Sequence, residues 1–352
     1  MRPVCLTGIL FFWVVILLPL SAQQEPLPQL FHAERDGKHG YVDCTGRIAI
    51  SLDYEGAEEF HEGLAPVKTA GRWGFLDAVG KLVIAPQFNE TGPFSEGLAA
   101  VKLGEKWGYI DRSAKLVIGA QFDSGGKFAE GAAHVRSGKK HGYVSKEGKL
   151  LIPIEFEAAE QFSEGLAAAE VNNKYGYIDH TGQFVIQPQF AFGEHFTEGL
   201  AEIIVNHELH YIDKTGKTVL DFGVINASSQ MVVMGLFFGD PVFSEGLATV
   251  PKGDQWGFVD HSGKFVIPPL YYSTARFSEG LATVCVVRKV GKEHVGIWGY
   301  VDKTGAMAIQ PQFRSASPFQ GCLASVQTED VMGYVDRTGK LVWSAPKTRQ
   351  AK

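Results

Sequence analysis

Cysteine is scarce in this chain, with 4 among 352 residues, and methionine numbers only 5. So few cysteines exclude a small fold stapled by disulfides. An excess of one charge is missing too, the net being −6 at pH 7. That offers no basic footprint for nucleic acid, and no nucleic-acid partner is expected. Beyond residue 20 no apolar run approaches the roughly 20 residues of a membrane helix, so no stable span is expected in the mature chain. Gly-x-Ser-x-Gly elbows, P-loops and dinucleotide fingerprints are absent, and no cofactor is expected.

What the chain does have is glycine and aromatic residues. The 41 Gly are about 12% of the chain, against roughly 7% on average. Beside them stand 6 Trp, 11 Tyr and 24 Phe. A disordered chain is poor in aromatics. A helical bundle does not accept this much Gly, at about 1 kcal/mol per interior position. A β-rich chain with many tight turns is left.

Residues 1–22 read as a secretory signal: Arg2, an apolar stretch from Leu6 to Leu20, then Leu20-Ser21-Ala22 as a small-residue cleavage site. The stretch is short for an uncleaved anchor. Cys5 precedes it and so is not a lipoprotein cysteine. Cleavage leaves Cys44, Cys285 and Cys322, an odd number. Free buried thiols are expected, with Cys285–Cys322 as the alternative bridge.

An internal repeat organises the rest. A Trp-Gly-Tyr-like step recurs at residues 39, 73, 107, 141, 175, 209, 256, 298 and 332. The spacing is 34 except for one step of 47 and one of 42. A second motif, Phe94-Ser95-Glu96-Gly97-Leu98-Ala99, travels with it. Fixed Gly and Pro positions exclude helix pairs of the same period. Within one unit, Leu98 to Val101, Trp107 to Asp111 and Lys115 to Ile118 read as three short strands. An Asp-x-x-Gly turn joins the last two, as in Asp179 to Gly182. Ala114 replaces this Gly in one unit, which predicts a strained turn. Pro-Gln-Phe, as at Pro86 to Phe88, is read as ending the third strand. About eleven irregular residues then lead into the next unit.

These motifs resemble the WG repeat of bacterial proteins. The resemblance covers residues 30–343, leaving 344–352 as a tail. It implies a β-rich, often exported binding protein and supplies no catalytic residues. The expected fold is all-β: nine three-stranded antiparallel units in an open, curved solenoid. A closed propeller-like ring is the alternative. Nine exceeds the usual four to eight blades, blades usually carry four strands, and no unit is split between the termini.

The recurring Glu62, Glu96, Glu130, Glu164, Glu198, Glu245 and Glu279 could supply a glycosidase pair. A residue that returns in every unit is more simply part of the fold, as is the turn Asp. His207 and His210 lack zinc-ligand spacing on a strand, and no metal is expected. Trp73, Trp107, Trp256 and Trp298 are either inter-unit core or rings that stack on a ligand. The longest step adds an apolar insert near 223–242, with Phe237 and Phe238 as candidate partner contacts. The other insert, near 285–297, lengthens a hairpin with a charged tip. The expected function is an exported, non-enzymatic binding or scaffold protein of the bacterial periplasm or exterior. Its partner would be a protein or an envelope polymer. Glycan binding through the aromatic positions is the alternative, and a glycan-acting enzyme is less favoured.

Overall fold

The computed structural model describes residues 29–224, 242–290 and 293–347. Within them the chain forms nine antiparallel sheets in chain order. They cover residues 31–54, 56–88, 90–122, 124–156, 158–190, 192–224, 248–271, 273–313 and 315–346, here blades 1 to 9. Among the described residues seven blades have four strands, and blades 1 and 7, each preceded by residues outside that set, have three.

The three-stranded unit is therefore corrected. Part of the stretch read as irregular forms the first strand of the next blade. It is two residues long in blades 2, 5, 6, 8 and 9, as in Gly56–Ala57 and Ala158–Ala159, and six in blades 3 and 4. A two-residue strand carries no periodicity that a sequence could display. The last strand also runs further than expected, straight through proline, as in Leu82–Phe88. It is an edge strand, and its ladder with Arg72–Asp77 jumps from Trp73↔Phe88 to Phe75↔Ile84. Pro86 sits in this bulge, where a missing N–H breaks no ladder bond.

The same bulge explains the glycine after Trp. A Cβ on Gly74 would lie 2.5 Å from the Ile84 carbonyl oxygen, and one on Gly108 would lie 2.5 Å from that of Ile118. Unit 6 has His210 there, and its ladder takes a different register, His210↔Asp221 beside Tyr211↔Leu220.

The open solenoid is likewise overturned. Each blade shares a buried cluster with the next, and a ninth cluster joins Phe31, Ala33 and Val42 of blade 1 to Leu323, Trp343 and Ala345 of blade 9. Between blades, the Tyr of one packs on the Phe of the next, as Tyr109 on Phe128 at 5.1 Å and Tyr177 on Phe196 at 4.9 Å. Tyr109 and Tyr177 also donate to carbonyls 17 residues on, at Gly126 and Glu194. At the seam Tyr334 does both: its ring lies 5.6 Å from Phe31, and its hydroxyl donates to the His32 carbonyl at 2.7 Å. Nine like interfaces therefore close a propeller. Among the described residues no blade is split, and closure uses head-to-tail packing instead.

A disulfide joins Cys44 of blade 1 to Cys322 of blade 9, across 278 residues of sequence. This corrects both cysteine expectations for that pair, since only ring closure brings these turns together. Cys285 is the buried free thiol, with burial pushing its pKa up to about 11.

The Asp-x-x-Gly turns form as expected. The Asp179 carboxylate accepts from Thr181 N–H, Thr181 Oγ1–H and Gln183 N–H. Gly182 adopts φ +83°, and Ala114 is held at φ +65° in the equivalent turn. A left-handed L-residue costs roughly 1–2 kcal/mol, partly offset in any Gly replacement by greater freedom of the unfolded chain. Ala114→Gly should therefore stabilise the protein by about 0.5–1 kcal/mol. Urea denaturation measures this, and unchanged or lower stability would refute strain at this turn.

Candidate functional site

Six of the seven repeated Glu side chains are built into a junction between blades. Glu62, Glu96, Glu130, Glu164, Glu198 and Glu245 all have φ between 51° and 55°. Each carboxylate accepts the N–H of the Gly in the next blade's motif: Gly97, Gly131, Gly165, Gly199, Gly246 and Gly280, at 2.9–3.1 Å. Each also meets a cationic or imidazole side chain that follows the turn Asp or Ser of that next blade. Lys146 reaches Glu96 at 2.8 Å, His180 reaches Glu130 at 3.1 Å, and Lys303 reaches Glu245 at 3.0 Å. The neighbouring Ser adds a third tie, as Ser95 Oγ donates to the Phe128 carbonyl at 2.7 Å. A Glu and a basic or imidazole side chain thus form a clasp at six junctions, with the Ser tie added beside Glu96, Glu164 and Glu245.

Glu96 of the clasp, the turn carboxylates and His32 make stability depend on pH. The Lys146 hydrogen bond and the Gly131 N–H hold the Glu96 carboxyl below its usual range. The hydroxyls of Thr181 and Thr215 do the same for Asp179 and Asp213. A depressed carboxyl pKa stabilises the fold above the unfolded-state value, and that gain disappears as pH falls through the folded value. His32 acts with the same sign: burial, then His39, lowers its pKa from 6.5 to about 4, so acid favours the unfolded chain. The melting temperature should fall steadily from about pH 6.5 to about pH 3, and less steeply in Asp179→Asn. A flat profile would refute this linkage.

The candidate aromatic residues occupy one equivalent position. Trp256 is buried in the cluster between blades 6 and 7. Trp73, Trp107 and Trp298 are half-buried, each packed against an inter-blade cluster. Lys68 lies over the Trp73 ring at 5.9 Å. The structure keeps these four rings in different interfaces and does not gather them. Phe237 and Phe238 lie outside the described residues, as do residues 1–28, which include the stretch read as a signal, and most of the apolar insert. The second insert lengthens a hairpin, Leu281–Val290 with Glu293–Asp302. His207 and His210 form no metal group; among the described residues no cluster of three or more His, Cys, Asp or Glu is placed to hold a metal ion. Among the same residues no helix is long and apolar enough to cross a membrane.

The position that differs from all others is the seam. Cys44 follows the turn Asp where blades 3 to 9 place the clasp cation, and Gly321-Cys322 stands where other units place Glu-Gly. A covalent bond thus takes the place of the ionic clasp. Phe31 stands where other units have Ala, and its ring fills the aromatic site against Tyr334. Beside it, blade 1 has no first strand among the described residues, and a cavity of about 320 Å³ lies between His32, Glu34, Ser325, Gln327, Met332 and Trp343. His32 and His39 contact through their ring nitrogens at 2.8 Å. Repeat reasoning missed this site because it averages over units. Its signal is the run of exceptions at Phe31, Cys44 and Cys322.

The profile of the WG containing repeat matches residues 40–73, 73–107, 107–140, 142–175, 175–206, 256–286 and 298–330. The chain belongs to the WG containing repeat family. The match stops in unit 6, where His210 replaces the repeat's Gly, and resumes at Trp256. No curated protein matches this WG repeat chain. Among solved structures it is similar to a eukaryotic initiation factor at 12% identity and TM-score 0.58, covering 90% of this chain and 95% of that one. Dihydro-heme d1 dehydrogenase NirN, at 13% identity, 91% and 74% coverage and TM-score 0.46, is more distant. So is Kluyveromyces lactis Hsv2, at 8% identity, 78% and 95% coverage and TM-score 0.41. The first likeness concerns the fold alone.

Proposed function

We propose that this WG repeat propeller is an exported, non-enzymatic binding or scaffold protein whose partner is a protein or an envelope polymer. The observation that supports this best is the use of its carboxylates. Six of the seven repeated Glu side chains hold a neighbouring blade's backbone N–H, and the turn Asp side chains hold their own turns. A hydrolase needs two carboxylates set apart by their surroundings, whereas these repeat one environment. Export is supported by the Cys44–Cys322 bond together with the N-terminal segment, since disulfides persist in oxidising compartments.

Affinity capture with the intact protein, from the exported fraction of the source cells, tests this reading. A retained partner supports it, while glycan turnover by the pure protein overturns it. A second reading, glycan binding, draws on the half-exposed rings of Trp73, Trp107 and Trp298. It requires Trp107→Ala to lose polysaccharide binding at unchanged melting temperature.

A further inference from the structure

Blade 4 carries two imidazoles on one face. His134 lies opposite Tyr143 across the hairpin, and Arg136 lies opposite His141. Alternate positions of paired strands point to one side of a sheet, so His134 and His141 are diagonal neighbours. That side is turned to blade 5, where the Tyr143 ring packs on Phe162 at 4.9 Å and its hydroxyl donates to the Glu160 carbonyl at 2.7 Å. Both imidazoles are half-buried. The Nδ1 atom of each is shielded from solvent and has no hydrogen-bond partner.

We propose that His134 and His141 together bind one monovalent soft metal ion, copper(I), between blades 4 and 5. This adds a metal site to the propeller and stands apart from the partner proposed above.

The spacing of the rings fits such an ion. Their centroids are 6.2 Å apart and their planes are inclined by 21°. In a linear arrangement, a metal–nitrogen bond of about 2.0 Å sets two imidazole centroids about 6 Å apart, each ring adding about 1.1 Å. Blade 1 supplies a contrast, since His32 and His39 hold the same two positions there. Those centroids are 5.0 Å apart, and Nε2 of His32 meets Nδ1 of His39 at 2.8 Å. That pair satisfies itself and leaves no room for an ion between the rings. The blade 4 pair is held apart, and each ring keeps a nitrogen unused.

The first strand of the blade makes room for the pair. A Cβ on Gly126 would lie 2.3 Å from the Nδ1 and Cε1 atoms of His134. Blades 2, 5 and 6 place Glu58, Glu160 and Glu194 at that point. Gly126 therefore removes both a clash and a carboxylate.

The ligand set selects the class of ion. Burial, then His141, holds the His134 pKa below its usual value, and burial, then Arg136, does the same for His141. Both rings are thus neutral ligands at neutral pH. Among the described residues they belong to no metal-holding group of three or more His, Cys, Asp or Glu. Two neutral nitrogens cancel no charge, and Arg136 on the same face opposes a second positive one. A divalent ion would be left undercoordinated and poorly solvated there. Copper(I), with its filled d shell, is satisfied by two nitrogens in line, and imidazole suits copper.

The test uses the full disulfide-bonded protein and copper(I) held by the chromophore bicinchoninate, without oxygen. One copper(I) per chain should leave the chromophore for the protein. His134→Ala and His141→Tyr should each weaken this by more than about tenfold. Ala168 and Tyr175 hold the equivalent places in blade 5, so both variants should melt as the parent does. His39→Trp, which alters the blade 1 pair, and Cys285→Ala, which removes the buried thiol, should bind copper(I) unchanged. X-ray absorption of the loaded parent should show two nitrogen neighbours and no sulfur, whether or not the variants fold. No transfer to the parent overturns the proposal. So does copper(I) retained by both His variants, transfer lost in Cys285→Ala, a sulfur or third ligand at the metal, or displacement by an equal amount of zinc(II).

Discussion

Cys44→Ser with Cys322→Ser lowers the stability of the ring by about 5.6 kcal/mol, the loop-closure value for a cross-link of this span. The bond closes a loop across 278 residues of sequence, nearly the whole described chain. Its reduction removes the covalent tie of blade 9 to blade 1, and the seam contacts that remain include Tyr334 on His32, Arg35 on Ser344, Gln29 on Gln320, and the Phe31–Trp343 cluster. Calorimetry with and without reductant measures the loss, and limited proteolysis should first cut within blade 1, residues 31–54. A further variant separates covalent closure from local contact. Cys44→Arg, Gly321→Glu and Cys322→Gly together rebuild the ionic clasp of the other blades. An exposed ion pair contributes about 0–1 kcal/mol, so most of the loss should persist. Full recovery in that variant, or no loss on reduction, would refute the entropic account.

The second large effect is expected at the glycine after tryptophan. Gly108→Ala places a methyl 2.5 Å from the Ile118 carbonyl oxygen and 2.8 Å from the Ala120 nitrogen. Both are backbone atoms held by a bulged ladder, so no side chain can rotate away. Overpacking of this kind costs about 3 kcal/mol. With an unfolding entropy near 2.1 cal/mol/K per residue, that is a fall in melting temperature of about 5 °C. Gly119→Ala is the control, since nothing lies within 4 Å of its Cβ position. Equal melting temperatures for the two variants would show that the contact is relieved cheaply.

Together these variants separate two roles for the repeat. Gly108 serves the inside of one blade, where the last strand crosses the Trp strand at contact distance. The Glu and Ser of the clasp serve the junction between blades. The sequence presents both as motifs of the same period and does not reveal which is which. What separates them is where the partner lies. Gly108 meets Ile118 within its own hairpin, whereas Glu96 meets Gly131 in the next blade, 35 residues on.

The repeat, the β class, the turn chemistry and the structural use of Glu were legible from residues alone, because each rests on local spacing. Asp179 with Gly182 specifies a turn wherever it stands. The sequence also marked Ala114 as out of place, and its φ of +65° agrees. Closure, strand count and the disulfide were not legible. They depend on the small rotation between successive blades, which is set by packing such as Tyr109 on Phe128. A rotation that returns after nine steps closes a ring, while a slightly different one leaves a solenoid, and the 34-residue motif is compatible with either. Once the ring closes, the exceptions at Phe31, Cys44 and Cys322 meet at one seam and acquire a shared purpose.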